Sequence, residues 1–499
     1  MLSATIWVPL IGAVLLAAWR DASPRGLRIA AVLIASIPLV LLVVAWVRFD
    51  AAADAPLFQL VEELRWISTL GVAWRLGVDG IALAVASVSA LVFVAAVAYP
   101  PPNSASDEGR LRHYYAWLLF LDGISLGVFL ALDLLLFYVF FDLSLVGMYF
   151  LIGRFGHGED ARRAALKFFI YTLGGSLAML LGIIGLVLAT DPLTFDMRTL
   201  IAAQPLSGGG TYAGLVLLGL ILGLGIKTPI VPFHTWLPPA HVDAPGPASA
   251  ILAGVLLKMG TYGLVRLPFS MLRETFAHYA LPLAIVAVVS IVYGALVAWG
   301  QTNLKRRIAY TSVNHMGYVV LGIAAAAGLS GQASARAVAL TGATFEMVAH
   351  ALITGALFLI AGAFWQRGGE YELRAYGGLA RRAPRLTGLT VLAAFASLGL
   401  PGLAGFVAEF QVFAGAFAVY PWLAAIALLG ILITAALFLQ MLQLLFFGEL
   451  PARWSGFADL GWSETLVLCG LLLLVVVLGV YPGWALTVIG ATATRLVAG

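Results

Sequence analysis

Residues 214–236 read GLVLLGLILGLGIKTPIVPFHTW, 237–247 read LPPAHVDAPGP, and 248–265 read ASAILAGVLLKMGTYGLV. Two lysines, Lys227 and Lys258, sit in the middle of these apolar runs. A lysine at mid-bilayer depth costs about 2.5–3.5 kcal/mol on insertion scales, and leucine would serve packing better. Such a residue faces the protein interior, has a partner, and marks an ion or proton path.

The surrounding chain fits that setting. It has 499 residues, of which 62% are hydrophobic and only 10% charged, with a mean hydropathy of +1.01. A soluble domain of this length carries roughly a quarter charged residues. A helix needs about 20 apolar residues to span a bilayer. Fourteen such runs are present, near 3–19, 28–48, 78–99, 113–131, 134–153, 165–190, 211–235, 246–268, 279–299, 308–328, 335–365, 388–415, 420–447 and 464–493. The expectation is an all-α polytopic membrane protein with no soluble domain. The polar stretches 50–77 and 366–387 read as loops.

The single cysteine, Cys469, excludes an internal disulfide, an all-Cys iron–sulfur cluster and a Cys-rich zinc site. The net charge of +4 is small and spread over loops, which gives nucleic-acid binding no support. The first run lacks a basic leader region and an A-x-A site, so it reads as a retained helix. Loop charges set the orientation. Loops after odd-numbered runs hold 18 Lys and Arg, and the opposite side holds 8. Both termini are therefore expected on the outer, periplasm-like side of the membrane.

The seventh and twelfth runs are interrupted, at Lys227-Thr-Pro229-Ile-Val-Pro232 and at Gly399-Leu-Pro401-Gly402. Proline removes an amide donor and breaks a helix. Broken backbone at membrane depth survives where it is buried in protein or lines a wet cavity. Two broken runs five apart suggest two five-helix repeats, and an odd number of helices per repeat forces them into inverted topology. This divides the single membrane domain into N-terminal helices (1–110), a first repeat (111–268), a second repeat (269–447) and a C-terminal helix (448–499).

A further set of polar residues lies deep in apolar runs: Asp142, His315, Glu346, His350 and Glu409. Glu346 and His350 are four apart and share a helix face. Asp133, nine residues before Asp142, falls on the opposite face near the end of its run and is the weaker candidate. Carboxylate, amine and imidazole groups on separate helices are what a proton relay requires. Burial brings the proton affinities of lysine and carboxylate together, and histidine already titrates near neutrality. The bland alternative is that these charges are static ties between helices. His234, His241 and Asp243 have the donor types of a metal site, but the prolines among them spoil helical ligand spacing. A capped polar turn is the simpler reading, so neither a metal nor a cofactor is expected in this chain.

At these residues the chain resembles a known family. GIKTPIVPFHTWLPPAHVDAPGPASAILAGVLLKMGTYGLVR (225–266) is similar to the signature of antiporter-like subunits of respiratory complex I, in particular the M-type subunit of the bacterial enzyme. The likeness extends through GVDGIAL (77–83), LLLFYVFFDL (134–143), LKFFIYTLGGS (166–176), AYTSVNHMGYVVLGI (309–323) and GLPGLAGFVAEF (399–410). The resemblance implies fourteen helices, with Asp142 paired to Lys227, Lys258 and His350 continuing a central hydrophilic axis, and Glu409 ending it. It also implies a redox-free chain whose partners are other membrane subunits, especially neighbouring antiporter-like ones, with lipids around it and protons as its cargo. Flavin and iron–sulfur clusters would reside in partner subunits. Asp142 stands where the family usually has Glu, Glu346 where Gln is usual, and Gly147 and Pro239 replace a usual Pro and Asp. Two other functions remain open at this point: a subunit of a cation/proton antiporter or membrane-bound hydrogenase, and a structural membrane scaffold.

Overall fold

Apolar composition dictates helices, because in a lipid environment every backbone amide must be satisfied within its own segment. The computed structural model, which describes residues 1–105 and 107–498, follows that rule almost throughout. It begins with α1 (Leu2–Ala18) and α2 (Pro24–Arg48), then a hairpin of β1 (Gln59–Ile67) and β2 (Val72–Val78). Next come α3 (Gly80–Ala98), α4 (Glu108–Leu130), α5 (Leu134–Phe155), α6 (Ala161–Leu188), α7 (Met197–Ala203), α8 (Thr211–Lys227) and α9 (Leu237–Asp243). A continuous rod follows, made of α10 (Gly246–Ile251), a π turn (Leu252–Leu256), α11 (Leu257–Leu264) and a second π turn (Val265–Phe269). The chain ends with α12 (Arg273–His278), α13 (Ala280–Trp299), α14 (Leu304–Ala327), α15 (Ala333–Gly368), α16 (Pro384–Ser397), α17 (Ala404–Val419), α18 (Pro421–Phe446), α19 (Trp462–Val480) and α20 (Gly483–Ala498).

Among the described residues, ten helices are long and apolar enough to cross a membrane. The apolar centres of the rod and α15 are enclosed by protein and form the axis of the molecule. By contrast, α2, α18 and α19 bury only about a third of the residues in their apolar stretch or fewer, and present Leu, Ile and Val outwards. α15 packs on the rod, α3, α14, α17 and α20, while α8 packs on α6 and α11.

Acidic and amide side chains start several helices. Asp79 accepts from Ala82 N at 2.8 Å to begin α3, and Asn303 accepts from Arg306 N at 2.9 Å to begin α14. Such caps satisfy amides that have no intrahelical partner. Between α16 and α17 the chain turns through Gly399 (φ +77) and Gly402 (φ +91), a left-handed region that side chains other than glycine rarely adopt.

Three expectations are corrected. The stretch 50–77 is not simply a loop, and the fold is not strictly all-α, because β1 and β2 pair antiparallel with Glu63 opposite Arg75. One strand of this pair, β2, is largely buried and the other is wet, so a polar composition conceals a strand. The C-terminal segment is two helices, not one, since the run breaks at Tyr481-Pro482 where the proline offers no amide. Lys305 and Arg307, read as loop charges, are buried on α14 at 0% and 3% exposure.

Candidate functional site

The first group of polar residues joins α5 to α8. Lys227 is the last residue of α8, where the following prolines end the helix and leave its side chain pointing into the protein. Its ammonium donates to Ser144 Oγ at 2.9 Å and lies 5.0 Å from the Phe141 ring centre. A cation over an aromatic face gains electrostatic stabilisation that partly replaces lost water. Asp142 lies on the same helix as Ser144, two residues earlier. Among the described residues Lys227 makes no ion pair within 4.0 Å, so the expected pairing with Asp142 is not a direct contact in this conformation. Asp142 Oδ1 is buried without a hydrogen-bond partner, with the Tyr138 hydroxyl beside the carboxyl.

The second group is larger and closely linked. Lys258 sits just past the first π turn of the rod, which widens the helix by one residue. Its Nζ reaches back five residues to Ala253 O at 2.6 Å and meets His350 Nδ1 at 2.5 Å. Single π turns of this kind recur at functional sites. His350 lies on α15, and its ring centre is 5.5 Å from that of His315 on α14. His315 Nδ1 contacts Glu346 Oε1 at 2.9 Å and Glu409 Oε1 at 3.9 Å, and its Nε2 faces Ser397 Oγ at 3.2 Å. This pattern fits a proton on Nδ1, with Nε2 accepting from the serine; the tautomer is assigned from the hydrogen-bond network. Glu409 comes from α17, beyond the glycine break. A Cβ on Gly399 would overlap Glu409 Oε2, so the break both bends the chain and makes room for the carboxylate.

Five proton-bearing groups from the rod, α14, α15 and α17 therefore stand in sequence: Lys258, His350, His315, Glu346 and Glu409. All are at most 5% exposed. A static tie between helices needs two charges. Here an imidazole stands between two carboxylates and a second imidazole stands against an amine, so each group has a neighbour able to give or take a proton. Lys227 and Ser144 form a separate group, with no hydrogen bond joining them to Lys258 among the described residues.

Asp133 belongs to neither group. It caps α5, accepting from Leu135 N at 3.0 Å and Leu136 N at 3.3 Å, and pairs with Arg75 at 2.9 Å. His234 packs edge-on to Tyr293, and His241 stacks on Phe358 at 4.2 Å. The sequence reading passed over Asp122, which is fully buried on α4 with neither carboxylate oxygen partnered. Its signal was present in AWLLFLDGISLGVFL (116–130), an acid in an otherwise apolar run. It also passed over the ion pair of Arg266 with Asp79, 2.7 Å long and at most 1% exposed.

Residues 131–434, which contain all of these groups except Asp122, Asp79 and Arg75, match the family described as NADH:quinone oxidoreductase/Mrp antiporter, transmembrane. The chain belongs to this family. It is 37% identical to NADH-quinone oxidoreductase subunit M of Pseudomonas aeruginosa, over 96% of this chain and 93% of that one. It is also similar to a chain of respiratory complex I from Thermus thermophilus, solved with bound NADH, with 31% identity and a TM-score of 0.87 over the whole of both chains. A chain of the Mrp complex from Dietzia sp. has a TM-score of 0.85 over 100% of this chain and 99% of that one, and at 21% identity it shows a shared fold alone. As a family member, the protein is a multi-pass membrane protein.

Proposed function

We propose that this chain is the M-type proton-translocating subunit of NADH:quinone oxidoreductase, and that it moves protons along the buried line from Lys258 to Glu409. The observation that carries this reading is the position of His350, 2.5 Å from Lys258 and one ring contact from His315. Through these groups a proton passes from amine to imidazole to carboxylate without crossing apolar space. Lys227, with Asp142 and Ser144, supplies a second switching site in the other half of the chain. Quinone reduction takes place elsewhere in the complex, and this subunit carries no redox group of its own. Its neighbours are other antiporter-like membrane subunits and lipids.

The same reading takes the ten long helices together with α1, α8, α14 and the broken α16/α17 as fourteen spans in two inverted repeats. Contacts at the helix ends support an even count. Glu62 of the hairpin accepts from Leu2 N at 2.8 Å near the start of the chain, and Arg495 near its end donates to Ala55 O at 2.6 Å, so both ends lie on the hairpin face. The excess of Lys and Arg lies on the other face, and this supports termini in the periplasm.

The test is His350→Leu, which keeps volume and interrupts the line. In membrane vesicles the complex should assemble while proton pumping and coupled quinone reductase activity fall at least about tenfold, a rise of ~1.4 kcal/mol or more in the activation barrier. Full pumping would favour the scaffold reading.

A further inference from the structure

We propose that Asp122 is a further proton-holding carboxyl of this chain, exchanging its proton with Lys258 through water. This rests on the relay reading above. Asp122 is 0% exposed, and neither Oδ1 nor Oδ2 has a partner. The Ser125 hydroxyl, one turn further along α4, is also unpartnered, as are those of Tyr114 and Tyr115 towards the helix start. Buried acids near helix starts, Asp79 and Asp133 among them, are fully occupied by caps and arginines. Asp122 has no such task. A bare carboxylate in a dry interior is far more costly than any packing residue in its place. The group therefore holds a proton or is served by water for at least part of its cycle.

Its placement identifies the exchange partner. α4 and the rod begin at one face of the protein: Ser104 donates to Phe155 O at 2.6 Å, and His157 N donates to Asp243 O at 3.1 Å. They meet again further on, where Tyr262 donates to Phe129 O at 2.8 Å and the two rings pack edge-on at 5.4 Å. The two helices are thus parallel neighbours, with Phe129 facing the rod. Asp122 is seven residues, two turns, before Phe129 on the same face. Lys258 is one turn before Tyr262. The Cα atoms of Asp122 and Lys258 therefore differ in height by about one turn, roughly 5 Å, across a single helix seam, and the amine reaches back further towards the level of Asp122. The outer flank of α4 is closed by α1 and α5, since a Cβ on Gly123 would meet Ile6 O at 2.6 Å and one on Gly147 would meet Leu121 at 2.6 Å.

The step balances simply. The Lys258 ammonium releases a proton through an intervening water to the Asp122 carboxylate, leaving a neutral amine and a neutral acid. The reverse transfer restores the charged pair, and no other bond changes. Asp122 thus offers Lys258 a second outlet, opposite the one through His350.

The experiment uses the assembled complex in vesicles, with Asp122→Asn beside His350→Leu. Pumping and the infrared difference band of a protonated carboxyl are recorded during turnover. The expected result for Asp122→Asn is normal assembly, pumping reduced at least tenfold, and loss of one carboxyl band. Should Asp122→Asn assemble poorly, Asp122→Glu replaces it, and the band should move while pumping is largely kept. An unchanged band in either variant, or parental pumping in Asp122→Asn, overturns the proposal. The control separates the two levels, because parental pumping in His350→Leu would overturn the relay reading itself.

Discussion

At the scale of single residues, the question is what a buried lysine does without a carboxylate touching it. Lys227 rests on a hydroxyl and an aromatic face, with Asp142 one half-turn away on the helix that carries Ser144. This arrangement holds the ammonium without locking it. Lys227→Ala should leave the complex assembled and abolish most pumping, whereas Asp142→Asn should resemble it. Asp142→Glu should be mild, because the added methylene lengthens the reach of a carboxylate whose Oδ1 has no partner. Proton uptake and coupled quinone reductase activity in vesicles check all three, and a Glu variant as damaged as the Asn variant would show that Asp142 works by a different geometry. The lysines were legible in sequence because a charge in an apolar run stands out. The contact between Lys258 and His350 was not, since it depends on a π turn that no residue pattern announces.

Elements differ in how plainly they declare themselves. The broken helices were readable from Pro229, Pro232 and the glycines around Pro401, since each residue removes a donor or frees a dihedral. The hairpin was not readable, because β1 carries Glu62, Glu63 and Arg65 on a wet strand and looks like a polar loop. It is nevertheless tied to the start of the chain. Burial pushes the Glu62 carboxyl up, but the N-terminal ammonium, the Ser3 hydroxyl and the amides of Ser3 and Leu2 outweigh it and bring the carboxyl from 4.5 to about 2. A folded-state value below the unfolded one stabilises at pH above the unfolded value and is lost as pH falls towards the folded one. The clamp should therefore be complete above about pH 4.5 and weaken between about pH 4.5 and 2. Hairpin amides should exchange faster at low pH, after correction for intrinsic rates. Glu62→Gln should remove that dependence, and an unchanged profile in this variant would assign the effect to Glu63 and its arginines.

The whole molecule poses the question of which face meets which compartment. One face gathers the ends held by Ser104 with Phe155, His157 with Asp243, Leu304 with Tyr371, and Arg367 with Glu464. The other gathers Met1 with Glu62, Arg75 with Asp133, Gln204 with Ser270, and Arg495 with Ala55. The sort of loops by charge alone gives the same two groups. It did so although Lys305 and Arg307 are buried, because buried cations anchored near one face still resist transfer across the membrane. Moving one charge against the membrane potential costs about 2.3 kcal/mol per 100 mV. On the proposed reading the basic face is retained in the cytoplasm during insertion, and Glu409, beyond the break in α16/α17, lies on the route outwards. A reporter that works only in the cytoplasm, fused after Gly499, should stay silent, and one that works only in the periplasm should be active. The reverse pattern would invert the direction of the whole relay and place the terminal carboxylate at the proton's point of uptake.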